Sequence, residues 1–297
     1  MLLAIVFLLY TILLNNSDDK LFKALKAQDY SAAIEWLNKG ASATATDKHG
    51  RTPLHYANNL ELARLLIEKG ADVNAMGAES VLPALIKNTK PITIKDYAPL
   101  HLLTSTDVVE LLLNNGADVN ILGKYKVTPL HRAADLKDSS PLVKLLLEHG
   151  ANVNARASYN TTPLLEAMFY ASRDSLEVVK LLIEYGADIN AQDNSGHSAL
   201  HFVRNGDVVV VKYLLKKGAD ATLVSISGDM PICYAITGER TNLINLLLIH
   251  GDGILSTCSK GRSIYEYAKD ESGQSTQKVL TKSTALILKE FKKYEMK

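Results

Sequence analysis

Leu65-Leu66-Ile67-Glu68-Lys69-Gly70-Ala71-Asp72 returns as Leu111-Leu112-Leu113-Asn114-Asn115-Gly116-Ala117-Asp118. Each copy is an apolar run that ends in a glycine, a small residue and an acid. Further copies centre on Gly150, Gly186 and Gly218, and weaker ones on Gly40 and Gly251. Successive glycines are separated by 30, 46, 34, 36, 32 and 33 residues. A period near 33 with one long interval marks stacked units, each of which buries its apolar face only against its neighbours.

Upstream of these glycines stand Thr52-Pro53-Leu54-His55, Ala98-Pro99-Leu100-His101, Thr128-Pro129-Leu130-His131, Thr162-Pro163-Leu164-Leu165 and Ser198-Ala199-Leu200-His201. A hydroxyl accepts a bond from the free N–H groups of a helix start, and proline at the first helical position forfeits no needed donor. A short helix is therefore expected at each Thr-Pro. A second helix, such as Leu142 to His149, follows it, and its closing glycine takes the left-handed conformation.

Thr-Pro-Leu-His, the Val-Val-Lys-Leu-Leu run and Gly-Ala-Asp-Val-Asn-Ala together resemble the ankyrin repeat over residues 18 to 297. The resemblance implies an all-α solenoid of stacked helix-turn-helix units with β-hairpin fingers after each glycine. Val73-Asn74-Ala75, Val119-Asn120-Ile121, Val153-Asn154-Ala155 and Ile189-Asn190-Ala191 would lead into those fingers. Lysine outnumbers arginine 25 to 8, and with its irregular repeats the chain resembles ankyrin proteins of intracellular bacteria.

The repeats are uneven. His55 to Gly70 and His101 to Gly116 are each fifteen residues, His131 to Gly150 is nineteen and Leu165 to Gly186 is twenty-one. The short copies must trim the first helix or the turn after it. The long interval places an insertion near 76–97, where Pro83 and Pro91 favour a protruding loop. Residues 18–46 read as an N-terminal capping repeat, 47–258 as about six repeats, and 259–297 as a capping repeat with a helix over Val279 to Tyr294.

Residues 1–17 form an apolar N-terminal segment, expected as a short helix. Leu2 to Leu14 would span about 20 Å as a helix, less than a bilayer core of about 30 Å. That length suits a signal-peptide core, yet no Lys or Arg precedes it and no small-x-small site follows it. A cleaved signal, an anchor and a packed arm all stay open. Localisation (cytoplasmic, membrane-associated or secreted) turns on the fate of this segment.

The hydrophobic share of 47% and charged share of 22% exclude disorder and a polytopic membrane protein. A net charge of +1 supplies no general attraction for nucleic acid. No catalytic constellation, cofactor motif or metal-ligand spacing emerges. His55, His101, His131 and His201 fall on successive units, too far apart to share an ion, and are expected to bond the backbone beside their own Thr. Cys233 holds the same place and reads as a buried reduced thiol, since two cysteines make no disulfide framework.

What remains is binding. Leu54 and Ala57 share a buried face, so Tyr56 points away from it. Tyr56 and its equivalents Leu102, Arg132, Glu166, Phe202 and Tyr234 are the groove candidates. Finger-tip candidates are Lys48, His49, Arg51, Lys124, Tyr125, Lys126, Tyr159, Asn194 and His197. The chain is expected to be a monomeric, non-catalytic scaffold for an unidentified protein partner, without nucleic acid. A membrane-anchored or exported factor, targeted through residues 2–14 as a host-directed effector, is the alternative. A passive spacer is the third reading.

Overall fold

Thr-Pro opens the pairs at 52–53, 128–129 and 162–163, and left-handed glycines at 70, 116, 150, 186 and 218 close the second helices before them. The computed structural model describes residues 17–79, 94–169, 175–204, 208–238, 240–250, 257–258, 261–264 and 266–267. The apolar N-terminal segment, most of the insertion and the expected helix Val279 to Tyr294 lie outside the described residues.

Two compact units divide the chain, one of Met1–Ala133 with Pro141–Asn152, the other of Ala134–Ser140 with Val153–Lys297. In the first, α1 (17–26) pairs with α2 (Tyr30–Asn38). The turn Pro53–Tyr56 then precedes α3 (Leu60–Glu68), and Pro99–His101 precedes α4 (Thr106–Asn114). Next come α5 (Pro129–Asp135) and α6 (Ser140–Glu148). In the second unit, α7 (Pro163–Phe169) pairs with α8 (Ser175–Glu184), and the turn Ala199–Arg204 with α9 (Val208–Lys216). The last pair is α10 (Pro231–Thr237) with α11 (Thr241–His250).

Second helices keep 9 or 10 residues throughout, while first helices absorb the length changes. In the two short repeats the first helix shrinks to single 3₁₀ turns of 4 and 3 residues, against 7 residues in α5, α7 and α10. The second helix cannot shorten because its apolar stripe packs on both neighbours. Leu62, Ala63 and Leu66 of α3, and Val210, Val211 and Leu214 of α9, are essentially without exposure. Asn58 closes the trimmed turns, its Oδ1 accepting from the N–H groups of Thr104 and Ser105 at 3.1 and 2.8 Å.

The closing glycine works as its sequence position predicts. After α8, Gly186 sits at φ +88°, and the N–H of Ala187 donates back to Leu182 O at 2.9 Å. This six-to-one bond needs a left-handed residue, which glycine supplies without a Cβ clash.

The β-hairpin fingers do not form as expected. Among the described residues there are two short strand pairs, β1 (Gly77–Glu79) with β2 (Ile94–Tyr97), and β3 (Thr257–Cys258) with β4 (Arg262–Ser263). The first of these sits at the base of the insertion. The other fingers are tight loops closed by one bond from an N–H to the carbonyl four residues on: Asp47 to Arg51, Gly123 to Val127, Ala157 to Thr161, Asp193 to His197 and Ser225 to Asp229. A ladder needs at least a second pair, and these arms turn into helix before making one. Asp side chains complete the loops. Asp193 Oδ1 accepts from the N–H groups of Ser195 and His197, both at 2.8 Å.

Cys233 also departs from expectation. Its Sγ is bonded to that of Cys258, with the Cα atoms 5.8 Å apart. A separation of 25 residues matches no cysteine motif, and the bond ties β3 to α10.

Candidate functional site

Two recurring devices set the surface that a partner could meet. The first is the motif histidine. The N–H of Thr52 donates to His55 Nδ1 at 3.0 Å, and the same bond joins Ala98 to His101, Thr128 to His131 and Ser198 to His201. Because Nδ1 accepts, the proton sits on Nε2. That proton is donated to the carbonyl just before the next helix start. His55 reaches Tyr97 O at 3.0 Å, His101 reaches Val127 O at 3.0 Å and His201 reaches Asp229 O at 3.2 Å. Burial holds His101 and His201 down to about 4 and lowers His55 as well, while their carbonyl bonds pull the other way. His55, His101 and His201 are inter-repeat latches, and the motif histidines do not converge.

The second device was missed in the sequence. Asn154 Nδ2 donates to Gly186 O at 2.9 Å, and its Oδ1 accepts from Asp188 N–H at 2.8 Å. Asn74, Asn120 and Asn190 make the same two-armed rung with Gly116 and Asp118, Gly150 and Asn152, and Gly218 and Asp220. The signal was present as an Asn four residues after Gly70, Gly116, Gly150 and Gly186.

On this frame the six groove candidates are all half-buried. In the first unit, Tyr56 stacks edge-on to Phe22 at 6.3 Å and donates its hydroxyl to Asp47 Oδ2 at 2.8 Å. Lys26 reaches the same oxygen at 3.2 Å. Burial would raise the Asp47 carboxyl, but bonds from Tyr56, the N–H groups of His49 and Arg51, and Lys26 outweigh it and hold the pKa below its usual value. Burial and the neighbouring carboxylate raise Tyr56. A cleft of about 820 Å³ opens here, lined by Asp18, Asp19, Phe22, Lys23, Lys26 and the finger residues 45–48. Arg132 lies over the Tyr97 ring at 5.9 Å. Leu102 caps the turn before α4.

In the second unit the candidates come together. His197 Nε2 and the Tyr234 hydroxyl are 2.8 Å apart, and the His197 ring lies edge-on to Phe202 at 5.9 Å. Phe169 stacks on Phe202 at 5.5 Å and stays 47% exposed. Phe169 was not nominated, although it follows Glu166 by three residues on one helix and so shares its face.

The finger candidates divide by position. Lys48, Tyr125, Lys126, Tyr159 and Asn194 are exposed, and His49, Arg51, Lys124 and His197 are half-buried. Tyr159 is 75% exposed, and Ile226, another residue not nominated, is 80% exposed. Consecutive tips of this unit are joined by backbone bonds, Asn194 N–H to Tyr159 O at 2.8 Å and Ile226 N–H to Ser195 O at 2.9 Å.

Among the described residues, Asp229, Cys233 and Cys258 are the one group of potential metal ligands within reach of one another. The two sulfurs are bonded together, which leaves a single carboxylate.

A family model described as ankyrin repeats (3 copies) matches residues 4–77, 75–157, 100–193 and 167–258. An ankyrin repeat protein of Fowlpox virus (strain NVSL) is 42% identical over 65 residues, covering 20% of this chain and 13% of the relative. The ankyrin repeat, SAM and basic leucine zipper domain-containing protein 1 of Carollia perspicillata is 44% identical over 55 residues, covering 18% of this chain and 12% of the relative. The matched stretch therefore spans about an eighth of either relative's length.

Proposed function

We propose, from the premise that the chain belongs to the ankyrin-repeat family, that it captures a protein partner on its groove residues and finger tips. A general, non-catalytic role as a protein-interaction scaffold is what the family carries. The finer assignment rests on one observation: Phe169, Phe202, His197 and Tyr234 form an aromatic surface that is anchored from beneath and open above. Aromatic side chains held in a fixed rotamer lose little entropy on binding and dominate interface energetics. In the same reading, Tyr56, Leu102 and Arg132 serve the first unit and Glu166 joins the aromatic surface of the second. Lys48, His49, Arg51, Lys124, Tyr125, Lys126, Tyr159, Asn194 and His197 supply the tips.

The proposed division is an N-terminal segment over 1–17, a capping repeat over 18–46, about six repeats over 47–258 and a C-terminal cap over 259–297. The chain acts as a monomer. An origin in an intracellular bacterium rests only on the lysine usage and the irregular repeats.

The test is capture of a partner from a source extract, identification of it, and measurement of its affinity for Phe169→Ala and Phe202→Ala variants. Each should weaken binding by about 2 kcal/mol, or roughly thirtyfold. Circular dichroism and thermal unfolding of each variant serve as the folding control. Unchanged affinity for both phenylalanine variants, with the fold intact, removes this surface from the proposal.

A second reading, an exported or membrane-anchored factor targeted by residues 2–14, is favoured by the Cys233–Cys258 bond, because reducing compartments keep most thiols free. No helix among the described residues is long and apolar enough to cross a membrane. Fractionating the full chain beside one that begins at Ser17 separates the readings, since identical partition discards the targeting role.

A further inference from the structure

The last junction of the second unit is fastened by different chemistry from those that His55, His101 and His201 latch. Cys233 occupies the place that His55, His101 and His201 hold in their motifs, and its sulfur has no ring nitrogen with which to reach a carbonyl. The rung is also altered. Four residues after Gly218 stands Thr222, whose hydroxyl donates to its own Asp220 at 2.7 Å, so its one donor is already used. The segment across this junction has a regular repeat start, with the Ser263 N–H and hydroxyl donating to Glu266 at 2.9 and 3.0 Å. Cys258 pairs with Arg262 in that segment, as Asp193 pairs with His197 and Ser225 with Asp229 in the fingers before it. The disulfide therefore spans the same gap that a histidine-to-carbonyl bond spans elsewhere.

We propose that the Cys233–Cys258 bond is a redox-released clasp, which holds the capping residues 257–258, 261–264 and 266–267 onto α10 and lets them go when a dithiol reductant opens it. Cys258 and Ile264 are fully buried, and Tyr267 is nearly so. Among the described residues, Thr237 Oγ1 lies 3.3 Å from the Tyr267 hydroxyl, the Arg262 guanidinium lies over the Tyr267 ring at 4.8 Å, and β3 and β4 are two residues each.

The exchange balances without any further reactant. One thiolate of the dithiol attacks Cys258 Sγ, the S–S bond breaks, and Cys233 leaves as a thiolate that takes up a proton. The second thiolate of the reductant attacks the mixed disulfide and releases Cys258, which is protonated in turn. Two electrons pass to the protein pair, and the dithiol ends as its own disulfide. Both sulfurs are buried, so the reaction passes through local opening of the cap.

The experiment is hydrogen exchange read by mass spectrometry on the full chain, with and without dithiothreitol, alongside thiol alkylation. Before reduction neither cysteine should take up iodoacetamide. After reduction, amides of 257–267 should exchange at least about tenfold faster while those of α8 and α9 keep their protection. A double variant, Cys233→His with Cys258→Ala, rebuilds the latch of the other junctions and should keep cap protection with or without reductant. Free thiols in the unreduced protein, unchanged exchange in 257–267, or loss of protection throughout the unit on reduction would each overturn the clasp. Loss of cap protection by dithiothreitol in the double variant would trace the effect to the reagent and overturn it as well.

Discussion

An asparagine amide carries a donor and an acceptor on one short side chain, and four of them here each engage the adjacent repeat with both. Asn154→Ala removes both bonds at once and strands Gly186 O and Asp188 N–H at the water-exposed edge. The expected loss is about 1–3 kcal/mol, read from the midpoint of urea unfolding. Asn154→Asp should fall between, because it keeps only the acceptor. The motif histidines act at the same scale through their protons. Native His101 and His201 titrate at about 4, below the ordinary 6.5, so the unfolded chain binds protons first as pH drops. Their stabilisation is therefore complete above about pH 6.5 and drains away as pH falls toward 4, by up to about 3 kcal/mol for each. Urea midpoints at pH 7 and pH 4.5 should differ accordingly, and His201→Gln should shrink the difference. A midpoint that ignores pH contradicts the buried neutral ring. The histidine's local bond to the start of its own motif was legible in the sequence, but its reach to the carbonyl before the next helix start was not. The asparagine role was not, because its partner sits 28 to 34 residues away in three of the four rungs and 42 to 44 in the one that spans the insertion.

At the scale of elements, helices were readable and fingers were not, for one physical reason. A helix is announced by its own caps, and Thr-Pro and Gly carry that information within a dozen residues. A strand pair depends on how many residues two arms can spare before each enters a helix. Here the arms spare one bond, so loops closed at Asp193–His197 or Ser225–Asp229 replace the expected hairpins. Trimmed first helices were foreseeable from the fifteen-residue spacings, and the structure puts the shortening there. The loops are close together at their tips. A Cβ on Gly196, at φ +76°, would lie 3.0 Å from both Ser225 Cα and Ile226 N. Gly196→Ala should therefore cost more than the ~1–2 kcal/mol of a left-handed alanine alone. Gly228→Ala, at φ +79° with nothing within 4 Å, should cost only that conformational share. Thermal unfolding of both variants checks the ordering, and equal losses would mean that the tips can part freely.

For the molecule as a whole, function was legible as a class and no further. Periodicity spreads the polar side chains along the surface, which argues for binding over catalysis before any side chain is placed. Gathering His197, Phe202 and Tyr234 with Phe169 took the structure, since they come from three repeats and two kinds of element. The disulfide was hidden in the same way, as a contact between repeats that no motif encodes. Nearly every tie described, whether rung, latch or sulfur bond, joins a residue to one about a single period further along. A chain wired this way has no step that must wait for its far end. As it leaves the ribosome at about 5–20 residues per second, each fastening can close within seconds of the next period emerging. Synthesis can thus set the order of assembly, from first period to last.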